Sequence, residues 1–150
     1  MTLNIIVSNE DITERHKIVI NLYKKFDKYK IYSDRQLFNH IRNPIELDQY
    51  KIIYKNDTPV AFTSWAFLDL EAENHYKKTG QMLDKFWLSG DRCWIIDSIC
   101  HDENFNAVYD WAKRYFTATL GVDKPVSWLR IGENYSVKES NTRYTKEEYI

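Results

Sequence analysis

Glycine and proline are scarce in this chain. Four Gly and three Pro punctuate 150 residues, which excludes collagen-like and low-complexity architectures and leaves no linker at which to divide it. Cysteine is nearly absent, and Cys93 and Cys100 are too few for a disulfide scaffold. They fall seven apart on one predicted strand, so simple alternation points them to opposite faces and out of bonding reach. Two free thiols fit a reducing compartment. Neither sign of charge dominates: 21 basic and 22 acidic residues give a net charge of -1, which offers no field for nucleic acid. No apolar run is long enough to span a bilayer. Met1 to Val7 lacks the features of a signal peptide, so a cytoplasmic location is expected. The four His and two Cys show no metal-ligand spacing, and no bound metal or cofactor is expected.

What the chain does have is aromatic mass: 11 Tyr, 7 Phe and 5 Trp, 15% of the residues. That argues for a folded core rather than disorder. Asp11-Ile12-Thr13-Glu14 reads as a capping box, opening a helix over about 12–29 on the spacing of Val19, Leu22, Tyr23 and Phe26. Ser33 opens a second helix to about Arg42, with Pro44 helping to end it. Tyr50 to Lys55 and Val60 to Leu68 read as a hairpin around Asn56-Asp57-Thr58-Pro59. A helix over 71–84 interrupted by Gly80, a strand over 93–100, an amphipathic helix over 104–119 and a strand over 126–131 follow. The order predicts an α+β fold, with helices on a mainly antiparallel sheet. Residues 1–138 read as a single domain, and 139–150 as a polar, frayed C-terminal tail.

One carboxylate stands out. Asp97 sits mid-strand in Trp94-Ile95-Ile96-Asp97, where a buried Asp is costly unless paired, hydrogen-bonded or protonated. Strand alternation puts it on one face with Cys93, Ile95 and Ile99. It reads either as a catalytic group or as a structural carboxylate accepting backbone N–H or Tyr hydroxyl bonds.

Three ordered segments carry a resemblance. They are Pro59-Val60-Ala61-Phe62-Thr63-Ser64-Trp65-Ala66, then Ser89-Gly90-Asp91-Arg92 running to Trp94-Ile95-Ile96-Asp97, then Ala107-Val108-Tyr109 through Arg114-Tyr115-Phe116, with Gln49-Tyr50 upstream. Together they resemble the RTX toxin-activating lysine acyltransferases. The resemblance covers about residues 37 to 131. It implies a GNAT-like acyltransferase fold, transfer of a fatty acyl group from acyl carrier protein to protein lysines, and a homodimer in many members.

The resemblance also implies a His near the N-terminus acting with the Asp of the Ile-Asp motif. The Asp carries over onto Asp97. The His does not: counted back from Leu37-Phe38, its position falls on Lys30. The remaining histidines read as surface or satisfied core residues. His101 lies ~13 Å from Asp97 along the strand, and sequence alone brings none of His16, His40 or His75 to it. Arg92 is a candidate contact for an acidic carrier or a phosphopantetheine phosphate, or else an ion-pair partner of Asp91 or Glu71. Lys30 belongs to the basic run Lys24 to Lys30, a solvated helix end or a carrier contact. Trp65 and Trp94 are candidates for lining an acyl groove or for core. Two functions follow: a protein-lysine acyltransferase, or a non-catalytic binding, assembly or inhibitor protein on the same fold. The wealth of Lys, Asn, Ile and Tyr is common where coding DNA is AT-rich, as in some bacteria and many phages. An open cleft at Asp97 with a His or Lys in reach favours the enzyme, and a filled cleft the scaffold.

Overall fold

The computed structural model describes residues 13–131 and 137–150. The described residues form an α+β architecture: four helices on a five-stranded sheet in the order β1-β2-β3-β4-β5, antiparallel except where β3 meets β4. No described helix is long and apolar enough to cross a membrane.

Helix α1 spans Glu14–Tyr23. Its cap is Thr13, whose hydroxyl accepts from the His16 N–H while the His16 ring accepts from the Thr13 N–H. The expected box began two positions earlier, and its Asp11 and Ile12 lie outside the described residues. The helix also stops sooner than the apolar spacing predicts. Phe26 is extended and stacks on His101 at 4.4 Å, so a tertiary contact takes the residue that would have continued the stripe. A single 3₁₀ turn, Asp27–Tyr29, follows.

Helix α2, Asp34–Glu46, starts at the Ser33/Gln36 capping box and runs through Pro44. Proline was expected to end it. Instead Pro44 is buried with Ile41 and Ile45, and the missing N–H only deprives the His40 carbonyl of its partner four residues on. The apolar stripe Leu37, Phe38, Ile41, Ile45 closes on Val19, Leu22 and Tyr23 of α1.

Strands β1, Tyr50–Lys55, and β2, Thr58–Leu68, form the predicted hairpin. Asn56 and Asp57 both have positive φ, 52° and 65°, as the tight two-residue turn of a twisted hairpin requires. Helix α3, Leu70–Thr79, ends at Gly80 with φ 70°, a left-handed cap that favours glycine. Strand β3 is Arg92–Cys100, helix α4 Phe105–Leu120 and strand β4 Pro125–Ile131. The polar segment expected to fray is instead strand β5, Val137–Tyr144, paired antiparallel with β4. Its lack of apolar alternation reflects its place at the sheet edge, where backbone pairing needs no buried face.

The Ser89-Gly90-Asp91-Arg92 run is a structural latch. The Ser89 hydroxyl accepts from the Asp69 N–H and donates to the Phe86 carbonyl. The Ser89 and Gly90 N–H groups both donate to the Phe67 carbonyl at 2.8 and 3.0 Å. A Cβ on Gly90 would lie 2.6 Å from the Leu68 oxygen and from the Asp69 nitrogen. Gln49 is a second latch: its buried amide donates to the carbonyls of Trp65 and Trp87.

Helices α1, α2 and α3 cover one face of the sheet, over Phe62, Ile99, Ala66 and Trp94. Helix α4 covers the other, packing Phe116 and Trp111 on Trp65, Cys93 and Val126.

Candidate active site

An irregularity in β3 decides where Asp97 points. Ser64 faces Asp97 across the ladder, but the next residue, Trp65, faces Ile95. Ile96 is therefore an extra residue, a β-bulge, and directly opposed residues share a face. Trp65, Ile95 and Cys93 lie on the α4 side, whereas Ser64, Asp97 and Ile99 lie on the α1–α2 side with Phe62. Strand alternation had put Asp97 with Cys93 and Ile95; the bulge reverses that. It likewise brings Cys100, opposite Ala61, to the same side as Cys93. The two thiols stay free, about 23 Å apart at the rise of a strand. Burial pushes the Cys93 thiol up to about 12, so it is inert.

Turned this way, Asp97 meets two donors. The Tyr23 hydroxyl of α1 donates to Oδ2 at 2.6 Å. His40 Nε2 of α2 lies 2.5 Å from the same oxygen. The Asp97 N–H donates to the Ser64 hydroxyl at 3.3 Å. The Asp97 side chain is 20% exposed and the His40 ring 46%, so the carboxylate sits beneath an imidazole that reaches solvent. The Tyr23 ring stands edge-on to His40, with centroids 5.8 Å apart.

The charges are mutually dependent. Burial alone would raise the Asp97 carboxyl, but the His40 charge and the bonds from His40 and Tyr23 outweigh it and hold it below the usual carboxylate range. The Asp97 carboxylate pushes His40 above its ordinary value, against desolvation and the charge of Lys28. Burial, then Asp97, keeps Tyr23 protonated well above the ordinary tyrosine range. At neutral pH the arrangement is a carboxylate, a neutral phenol and an imidazole poised to carry a proton.

Beside Asp97 opens a cavity of about 420 Å³. Parallel pairing of β3 with β4 runs only from Cys93↔Val126 to Ile95↔Trp128. Beyond it the cavity is walled by Ile96 to Ile99 on one strand and Trp128 and Leu129 on the other. It continues under Val108, Ala112 and Phe116 of α4. The cavity thus lies along α4 and reaches Asp97 and, in the turn after α1, Lys28 and Tyr29; His40 and Tyr23 do not line it. Its walls are mostly apolar, and Lys28, Lys113 and Arg143 also line it.

The structure assembles only part of the set expected from sequence. Asp97 lines the cavity. Lys30 does not: it pairs with Asp27 at 2.8 Å on an exposed turn, and Lys28 of the same run reaches the cavity instead. Arg92 pairs with Glu73 of α3 at 3.3 Å, not with Asp91 or Glu71, and is held away from the cavity. Trp65 is 3% exposed in the core under Tyr115 and Phe116 and is not among the residues that line this cavity. Trp94 is core as well, its indole N–H donating to Glu73. From sequence His40 reads as a surface or satisfied core histidine and Tyr23 as part of the α1 stripe, and neither is assigned to Asp97. The available signal was faint: His40 lies three residues after buried Leu37, on the flank of the α2 stripe, and Tyr23 one turn after Val19.

Comparison with known proteins decides the family. The profile of the HlyC family of RTX toxin acyltransferases matches residues 11–133. The chain belongs to the RTX toxin acyltransferase family. Among characterised members, the leukotoxin-activating lysine-acyltransferase LktC of a Pasteurella haemolytica-like species is 33% identical over 97 residues, covering 59% of each chain. The RTX-II toxin-activating lysine-acyltransferase ApxIIC of Actinobacillus pleuropneumoniae is 32% identical over 101 residues, covering 67% of this chain and 63% of its own. The protein-lysine palmitoyltransferase CyaC of Bordetella bronchiseptica is 46% identical over 57 residues, covering 37% of this chain and 31% of its own. The chain therefore spans about three fifths of the length of the first two relatives.

Proposed function

We propose that this chain is a protein-lysine acyltransferase that takes a fatty acyl group from an acyl carrier protein thioester and places it on lysine amines of a protein substrate. The observation that carries the reading is the pairing of His40 Nε2 with Asp97 Oδ2 at 2.5 Å beside the open apolar cavity. Sequence alignment left Asp97 without a histidine; α2 supplies one from ten residues beyond the expected position. An open cleft with a histidine in reach favours the enzyme over a non-catalytic scaffold. The short parallel contact between β3 and β4, with a cavity lined by residues of both strands, supports a GNAT-like organisation.

In this reading the apolar walls under α4 hold the acyl chain, and the acceptor lysine approaches the exposed side of the dyad. Asp97 orients the imidazole through Nε2–H, leaving Nδ1 to receive a proton. The lysine arrives as an ammonium, transfers a proton to neutral His40, and its free amine attacks the thioester carbonyl. The C–N bond forms and the C–S bond breaks; the carrier thiolate takes a proton from the imidazolium, and the attacking nitrogen gives up its second proton through the freed imidazole to solvent. Asp97 stays ionised throughout and stabilises that imidazolium.

The test is mass spectrometry of an RTX protoxin and lysine peptides incubated with the pure protein and a panel of short to long acyl–carrier thioesters. Acyl adducts on lysine, lost in Asp97→Ala, are expected. Absence of transfer from every donor refutes the assignment.

A further inference from the structure

Tyr23 is the remaining polar partner of Asp97, and it is wholly buried: its residue exposure is 0%. A phenol in a core normally turns its hydroxyl to a wet edge or a backbone carbonyl. This one is aimed inward, between Tyr29 at 4.8 Å and Phe62 at 5.7 Å, onto the oxygen that His40 also uses. We propose that Tyr23 is a positioning residue of the dyad: its hydroxyl fixes the Asp97 carboxylate and divides the charge of Oδ2 between two donors, so that His40 can release its proton.

The inference rests on the acyltransferase reading for its purpose, but its physics is independent of turnover. An oxygen that accepts one charge-dispersing bond is a weaker acceptor for a second. With the phenol removed, the whole charge of Oδ2 falls on His40, the imidazolium is stabilised further, and the free base becomes rarer. Other groups act on the same centre and stay in place. Lys28, from the turn after α1, opposes the His40 charge. Tyr29 interacts with Tyr23, and Tyr76 of α3 feels the Asp97 charge. Ser64 on β2 accepts from the Asp97 backbone, so its bond does not compete for Oδ2.

The experiment follows the His40 ring by NMR from pH 5 to 9 in the intact protein, alongside the pH profile of kcat/KM. Tyr23→Phe keeps the ring and deletes the donor. Its His40 titration should move to higher pH than wild type, and the acidic limb of the rate profile should move with it. Asp97→Asn should move both the opposite way. Replacing Tyr23 by 3-fluorotyrosine, a stronger donor of almost the same shape, should lower the His40 titration and serves if Tyr23→Phe does not fold. An unchanged or lowered His40 titration in folded Tyr23→Phe overturns the proposal, as does an unchanged one in the fluorotyrosine protein. If no donor supports transfer, the acyltransferase reading falls while the titrations still decide the role of Tyr23.

Discussion

Replacing His40 by Gln separates a catalytic imidazole from a surface ornament. Gln retains bulk and a donor but cannot accept a proton at neutral pH. Loss of a general base lowers rates by about 10²–10⁴-fold, or about 3–5 kcal/mol of barrier. The effect on stability is smaller. Breaking a buried ion pair typically costs about 3–5 kcal/mol, but the His40 ring is 46% exposed and Tyr23 still bonds the carboxylate. Solvent screening reduces the figure to about 1–2 kcal/mol. The pH dependence has a definite sign. His40 is raised by Asp97, so its contribution to stability is complete below the unfolded value near 6.5 and is lost as pH rises through the folded one. Asp97 is held low, despite its burial, by His40 and Tyr23, so its contribution holds above about 4 and is lost as pH falls through the lowered value. The stability gap between wild type and His40→Gln is therefore widest between about pH 4 and 6.5. Activity runs the other way, rising as His40 loses its proton. Urea melts at several pH values and single-turnover transfer rates measure both. Transfer by His40→Gln within threefold of wild type at every pH refutes the base assignment.

Two further outcomes concern the frame around the site. Gly90→Ala forces a Cβ to within 2.6 Å of backbone at Leu68 and Asp69; overpacking of this kind costs about 1–3 kcal/mol, and calorimetry should register a Tm fall of about 2–12 °C for a chain this size, whereas an unchanged Tm contradicts the latch. His16 is 2% exposed, and its Nε2 meets no hydrogen-bond partner among the described residues. Desolvation lowers its pKa, so the unfolded chain binds the proton first and stability drops as pH falls below about 6.5. His16→Gln keeps the capping-box geometry and should flatten the Tm loss between pH 7 and 5.5; an unaltered slope assigns the acid sensitivity elsewhere.

How much of this was legible beforehand depends on the range of the interaction. Capping boxes at Thr13 and Ser33 and the Asn56-Asp57 turn are decided within a few residues, and the sequence displays them, the first displaced by two positions; Gly80, expected to interrupt a helix over 71–84, instead ends it. Helix α1 ended early and α2 late because Phe26 found His101 and Pro44 found the core, contacts no local pattern contains. Strand β5 was missed because an edge strand is held by backbone bonds, which have no residue signature. Arg92 and Trp65 stand in segments that resemble a motif, but in space Arg92 pairs with Glu73 and Trp65 packs in the core, so neither reaches the cleft.

By itself the sequence determined the family, the helix and strand types, and the presence of one carboxylate in an apolar strand that needs a partner. Composition and periodicity act locally, and they suffice for that. Tertiary structure alone decided which partner. A single extra residue at Ile96 rotates Asp97 to the opposite face of the sheet, and the packing of α1 on α2 delivers Tyr23 and His40 to it from 74 and 57 residues away. Alignment can count positions along a chain, but a hydrogen bond forms between side chains that meet in space, and here the histidine arrives from a different turn of a different helix.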